Sequence, residues 1–220
     1  MNSQLPPELF QRIERCGVIA VLVIDDAQHA VPLARALIAG GIDAMELTLR
    51  TPAALEALRR VRAEVPEMLA GIGTVLTPEQ VGEVAKLKGA FAVAPGTNPR
   101  VIQAAREQGL PFMPGVATPS DVEAAIEAGC RDLKFFPAES CGGLAYLKNM
   151  AAPYVHLGVR FVPLGGLTAK NLKDYLADPL TLAVGGSWLA PRALIQAQDW
   201  DKIRANAAEA RAIVQSVRAK

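Results

Sequence analysis

Between Arg131 and Ser140 the chain reads Arg-Asp-Leu-Lys-Phe-Phe-Pro-Ala-Glu-Ser, which sets one lysine, Lys134, inside a short apolar run closed by a proline. A lysine amine is a nucleophile only after it has shed its proton. With an ordinary pKa near 10.4, roughly one amine in 2,500 is free at pH 7. Bringing such a pKa to about 7 takes roughly 4.6 kcal/mol of environment, which burial among apolar groups or a neighbouring cation supplies. The same run also suits a strand lysine whose tip snorkels to solvent. Lys134 therefore has to be weighed together with the other polar residues that sit where a core strand should be greasy.

The clearest of these lie in Ala44-Met45-Glu46-Leu47-Thr48-Leu49-Arg50. Strand alternation puts Glu46, Thr48 and Arg50 on one face and Met45, Leu47 and Leu49 on the other. In a barrel the apolar set should face the surrounding helices, so the polar set points inward, with Arg50 at the rim. A structural Glu46–Arg50 ion pair or a wet edge strand would give the same pattern, although closure of a barrel removes edges. A third strand ends Gly71-Ile72-Gly73-Thr74, whose small residues leave interior room beside a hydroxyl. Ala94-Pro95-Gly96 and Pro114-Gly115 suggest rigid turns. Gly165-Gly166 and Gly185-Gly186-Ser187 follow the last two expected strands, where barrels commonly bind phosphate on exposed backbone N–H groups. The two histidines, His29 and His156, lie in connections and suggest no metal-ligand cluster.

Positioning these groups requires a scaffold that brings many strand ends together. Apolar, β-branched runs near residues 18–24, 44–49, 69–75, 91–94, 112–116, 132–136, 160–164 and 181–184 alternate with helical patterns such as 29–39, 53–64, 119–128 and 200–217. A capping helix is expected near residues 6–15. Thr51-Pro52, Thr77-Pro78, Asn98-Pro99 and Thr118-Pro119 each place a capping side chain before a proline at the first helical position. Gly40-Gly41, Gly89, Gly109 and Gly129 stand where helices should stop. Eight βα units without a linker predict one α/β domain over residues 1–220, a (β/α) eight-stranded TIM barrel, in preference to an open doubly wound sheet. Active sites of such barrels lie at the C-terminal ends of the strands.

Composition bounds the partners. Lysine plus arginine, 23, nearly balances aspartate plus glutamate, 22, for a formal net charge of +1, which argues against nucleic acid or an anionic membrane surface. A small-molecule ligand is expected. Three widely spaced cysteines suggest neither a disulfide framework nor a zinc knuckle. No apolar run is long enough to span a bilayer and no signal-like segment opens the chain, so a soluble, unprocessed, cytoplasmic protein is expected.

Lys134, Glu46, Arg50, Thr74 and two phosphate loops form the set that a Schiff-base aldolase acting on a phosphorylated 2-keto acid needs. The chain also resembles the 2-keto-3-deoxy-6-phosphogluconate aldolases, a family that includes 4-hydroxy-2-oxoglutarate aldolase activity. The resemblance runs through Ala30-Val31-Pro32, Glu46-Leu47-Thr48-Leu49-Arg50, Gly73-Thr74-Val75-Leu76, Lys134-Phe135-Phe136-Pro137-Ala138-Glu139 and Gly185-Gly186-Ser187-Trp188-Leu189. It implies that Lys134 forms the iminium, that Glu46 carries protons, and that Arg50 and Thr74 hold the substrate carboxylate. Phe136 is then an apolar wall, Pro95 lines the rim, and Gly165, Gly166, Gly186 and Ser187 take the phosphate. The products implied are pyruvate and glyceraldehyde 3-phosphate, with no cofactor and no metal, in a homotrimer. One departure stands out: Leu164 precedes Gly165-Gly166 where the family usually has Thr, which opens the stereochemical preference. Rival readings are a related pyruvate aldolase for the galactonate analogue, another phosphate-binding barrel enzyme, and a non-catalytic phosphometabolite-binding barrel.

Overall fold

A computed structural model describes residues 5–218. Helix α1 (Pro7–Cys16) leads into β1 (Val18–Leu22), and the chain then alternates strand with helix: α2 (Ala30–Ala39), β2 (Ala44–Thr48), α3 (Ala54–Glu64), β3 (Leu69–Gly73), α4 (Pro78–Lys86), β4 (Ala92–Val93) and α5 (Pro99–Glu107). It continues through β5 (Phe112–Met113), β6 (Gly115–Val116), α6 (Pro119–Glu127), β7 (Asp132–Phe135), α7 (Gly143–Ala151), β8 (Arg160–Pro163), α8 (Ala169–Ala177), β9 (Val184–Gly186), α9 (Arg192–Gln196) and α10 (Trp200–Arg218).

All strand pairs are parallel, in a six-stranded sheet of order β5-β4-β3-β2-β1-β9 and a three-stranded sheet β6-β7-β8. The single strand expected over 112–116 is thus divided. The division falls at Pro114, which has no N–H to give to a ladder, although its carbonyl still accepts the Lys134 N–H at 2.8 Å. At the other seam Phe161 of β8 pairs with Thr181, with Phe161 N donating to the Leu180 carbonyl and Leu182 N to the Phe161 carbonyl, each at 2.8 Å. The parallel sheet is curled, because side chains of β2 and β7, which lie in different sheets, meet across its concave face.

Helices cover the outer face, so β2 and β3 are buried along their whole length, as parallel strands flanked on both sides must be. Phe91, Phe112, Phe135 and Phe161 are fully buried, each contributing roughly 1.5–3 kcal/mol of apolar transfer. The final helix α10 lies against α2 so closely that a β-carbon on Gly40 would sit 2.5 Å from that of Ala207.

Helix starts follow the sequence at three of the four expected caps. Thr77 and Thr118 form capping boxes with Gln80 and Asp121, and Asn98 accepts from Arg100 N, each such cap contributing about 1 kcal/mol. Thr51 is the exception. Its hydroxyl donates to the Ile24 carbonyl after β1, and α3 begins at Ala54 without a side-chain cap. At the end of α4 the left-handed residue is Lys88 (φ 56°), one position before the expected Gly89. The helix expected from His29 opens with a 3₁₀ turn over Ala27–His29. Gly185 and Gly186, expected in a loop, belong to β9, in register with Ile19 and Ala20.

Candidate active site

Glu46 is the third residue of β2 and Lys134 the third of β7. Although 88 residues apart, they meet inside the curl: Lys134 Nζ lies 3.2 Å from Glu46 Oε1 and 3.5 Å from Oε2. Both are buried, at 6% and 2% exposure, so the lysine is no snorkelling bystander. Removing either partner of such a pair strands a charge in a low-dielectric interior, and the pair is therefore held as a unit. Glu46 fits only because β3 opposite it is small. A β-carbon on Gly73 would lie 1.7 Å from Glu46 Oε1, and one on Gly71 would lie 2.4 Å from the Phe91 ring. The interior room left by those glycines is thus filled by the carboxylate and by an aromatic ring.

Phe136, immediately after β7, holds its ring 5.5 Å from Lys134 Nζ, within reach of the ring's negative face. Thr48, two residues after Glu46, gives its hydroxyl to the Leu22 carbonyl at 2.9 Å, which ties the end of β2 to β1.

At the C-terminal ends of the strands a cavity of about 160 Å³ is lined by Arg50, Phe136, Gly165, Gly166, Gly186 and Ser187, with Val21 and Leu164 among its apolar walls. Six of the sequence-derived candidates are therefore together around one opening. Arg50 lies exposed in the turn beyond β2 and lines the cavity from outside the strand. Thr74 and Pro95 follow β3 and β4 at this same end of the sheet but do not line that cavity, and neither do the buried Lys134 and Glu46, whose link to it is Phe136. Thr74 has φ 53°, a left-handed conformation that a β-branched residue rarely adopts, and strained backbone of this kind persists where surrounding structure imposes it. The Pro95 carbonyl carbon would be 2.2 Å from a β-carbon on Gly115, so Gly115 permits the strand ends to close up beside Lys134.

The two glycine pairs are held differently. Gly165 and Gly166 have φ of 98° and 81°, backbone that side-chain-bearing residues avoid. Below Gly166 sits Glu139, whose β-carbon would be 2.7 Å from one added there, and Glu139 accepts the Tyr175 hydroxyl. Burial first, and that acidic partner second, push the Tyr175 hydroxyl above the ordinary tyrosine range, so it stays a donor. Gly185 is required by Leu164, whose Cδ1 would be 2.3 Å from an added β-carbon, and Gly186 by the Trp188 ring, at 1.5 Å. Glu139, Tyr175 and Val21 were not legible as site residues, because each acts through a contact that sequence spacing does not encode. Among the described residues no three His, Cys, Asp or Glu side chains converge as a metal-binding group.

Known proteins are similar to this chain over nearly its whole length. The family model for KDPG and KHG aldolase matches residues 10–206. The 2-dehydro-3-deoxy-phosphogluconate aldolase of Dickeya dadantii is 45% identical over 193 residues, covering 88% of this chain and 90% of that protein. The crystal structure of the Zymomonas mobilis 2-keto-3-deoxy-6-phosphogluconate aldolase with 3-phosphoglycerate superposes with a TM-score of 0.86 at 41% identity, over 94% of this chain and 96% of that one. The KDPG aldolase of Legionella pneumophila, with pyruvate captured as a covalent carbinolamine, superposes equally well, at a TM-score of 0.86 and 37% identity over 91% and 96% of the two chains. With its family model and these relatives spanning most of its length, the chain belongs to the KDPG and KHG aldolase family.

Proposed function

We propose that this protein is a class I aldolase, a carbon–carbon lyase that cleaves 2-keto-3-deoxy-6-phosphogluconate reversibly to pyruvate and glyceraldehyde 3-phosphate. The contact between Lys134 Nζ and Glu46 Oε1, 3.2 Å long and sealed from solvent, carries the reading. The carbinolamine trapped in the Legionella relative supports an amine as the attacking group.

In its free-amine form Lys134 attacks the C2 carbonyl, and the carbinolamine loses water to an iminium. Glu46 takes the proton of the C4 hydroxyl. The C3–C4 bond then breaks, its electron pair moves into the iminium as an enamine, and the aldehyde leaves. Glu46 returns the proton to C3, and water hydrolyses the pyruvate iminium to restore the amine. General acid–base help of this sort contributes about 10²–10⁴-fold. Arg50 and Thr74 hold the substrate carboxylate, for which a guanidinium fork is suited. Phe136 and Pro95 wall the site, while Gly165, Gly166, Gly186 and Ser187 receive the phosphate.

The two sheets together form a closed eight-stranded barrel in this reading, with β5 and β6 as one strand interrupted at Pro114 and the Phe161–Thr181 bridge as the last seam. The enzyme is further proposed to be a cytoplasmic homotrimer, as the resemblance implies. Leu76, half exposed beside Thr74, is an apolar side chain that assembly would cover. Analytical ultracentrifugation tests the trimer. Among the described residues no helix is long and apolar enough to cross a membrane.

A second reading has one observation in its favour. Leu164 puts a hydrocarbon where a hydroxyl donor would read the C4 configuration, which suits the galactonate analogue as well as the gluconate compound. Activity on unphosphorylated 4-hydroxy-2-oxoglutarate needs no phosphate loop at all. The deciding experiment is borohydride reduction in the presence of pyruvate, followed by peptide mass spectrometry. A pyruvate adduct on Lys134 is expected, and an unmodified Lys134 peptide under saturating pyruvate would reject the reading.

A further inference from the structure

At the opposite end of the sheet, where the strands begin, lies a second and larger pocket of about 760 Å³. It is built by the end of α1, the first residue of β8, the segment leading from α8 to β9, and the last turns of α10. Four arginines line it, Arg15, Arg160, Arg211 and Arg218, against two acids, Glu14 and Asp178.

Both acids already have cationic partners. Glu14 pairs with Arg160 at 3.1 Å, and Asp178 pairs with Lys148 at 3.3 Å while also accepting the Leu180 N–H. Arg15, Arg211 and Arg218 have no carboxylate within ion-pair distance among the described residues. Arg211 donates to the Arg15 carbonyl and Arg218 to the carbonyls of Glu14, Thr181 and Leu182. Carbonyl partners fix the guanidinium planes but leave the positive charge uncancelled. Burial, with the Arg160 charge adding to it against the opposing pull of Glu14, works against the Arg218 cation. Beneath the lining, and closed off from the pocket itself, the hydroxyl of Thr181, a residue only 1% exposed, and Arg160 Nε lack a hydrogen-bond partner. A buried hydroxyl without a partner is uncommon. Guanidinium groups, two of them oriented by carbonyls, and excess positive charge are components of an oxyanion site, and the volume lies in the range of metabolite pockets.

We propose that this pocket binds a small, doubly charged oxyanion, its charge and its oxygens both met by the guanidinium groups of Arg15, Arg211 and Arg218. The site is separate from the cavity lined by Arg50 and Phe136 and does not depend on how that cavity is used. Titration calorimetry of the full chain with inorganic phosphate, and separately with succinate, tests it. In the Arg15→Gln/Arg211→Gln variant one binding event per chain should vanish or weaken at least tenfold, while aldol turnover stays as in the wild type. Arg15→Gln alone, which breaks no ion pair or hydrogen bond in the structure, should weaken the same event and guards against a folding defect. Loss of phosphate binding with succinate unaffected assigns the site to phosphate esters, and the reverse assigns it to dicarboxylates. Titrations with both anions that are the same in wild type and variants would overturn the proposal, as would loss of the event only when Ser187 is changed.

Discussion

The Glu46 carboxylate occupies the space where Gly73 would carry a side chain, with Oε1 1.7 Å from the position of an added β-carbon. The glycine on β3 therefore fixes where the acid on β2 can point, and through it where the Lys134 amine rests. In Gly73→Ala the carboxylate has to swing away or the strands have to part. Overpacking of this kind costs about 1–3 kcal/mol, and loss of a placed acid–base costs about 10²–10⁴ in rate. Turnover should fall at least a hundredfold while the thermal midpoint drops by only a few degrees. An alanine variant with normal kcat would show that Glu46 is free to relocate and that its position is not set by β3.

Separating the two buried partners tests their roles. Glu46→Gln keeps a hydrogen-bonding group near Lys134 but cannot take a proton. Borohydride trapping of pyruvate on Lys134 should survive, whereas kcat for cleavage should fall about 10²–10⁴-fold. Equal loss of both would make Glu46 a structural counter-ion. Lys134→Arg, which remains cationic, should retain the fold by circular dichroism and lose turnover and adduct together.

How much of this was legible in the sequence depends on which force set each feature. Alternation in Ala44-Met45-Glu46-Leu47-Thr48 and in Asp132-Leu133-Lys134-Phe135 placed Glu46 and Lys134 on inward faces, because strand periodicity is local and burial of both sheet faces is general. Their meeting was legible only through the overall curl. Thr51 looked like a helix cap, yet its hydroxyl is drawn to the Ile24 carbonyl, a tertiary acceptor that local spacing cannot reveal. Gly185 and Gly186 suggested a loop, since glycine weakens strands. Their strand placement follows from Leu164 and Trp188, which fill the space beside them. Arg50 followed the alternation of β2 on paper, but β2 ends at Thr48, so Arg50 reaches the cavity from a turn.

Leu164 gives a prediction about selectivity. Its side chain packs on Gly185 and forms an apolar wall of the cavity, so the wild type has no hydroxyl there to distinguish C4 epimers. A pocket built to hydrogen-bond a substrate hydroxyl discriminates far more strongly than an apolar one. Leu164→Thr should raise the ratio of kcat/KM values for the gluconate and galactonate substrates about tenfold or more, at a cost of about 1–3 kcal/mol for a buried hydroxyl left imperfectly paired. An unchanged ratio would place stereochemical selection elsewhere in the site.

The cysteines supply a test of burial that is independent of catalysis. Burial pushes the Cys16 thiol up to about 12, helped by Asp43, and pushes Cys130 to about 12, against an ordinary 9.0. At pH 8 a thiol with that pKa is thiolate in roughly one molecule in 10⁴, and the thiolate is the form that alkylates. Half-buried Cys141 should therefore take iodoacetamide from the native protein while Cys16 and Cys130 stay unlabelled, and all three should react in denaturant. The sign of the linked stability follows from the same shift. The unfolded chain releases these protons above about pH 9 while the native state holds them to about 12, so stability is intact below pH 9 and declines as pH rises through that window. Denaturant titrations at pH 8, 9.5 and 10.5 should show a falling midpoint. In Cys16→Ala/Cys130→Ala the decline should become shallower, although the absolute midpoint is lower for want of the buried sulfur. An unchanged slope in that variant would mean that other alkaline groups govern the loss.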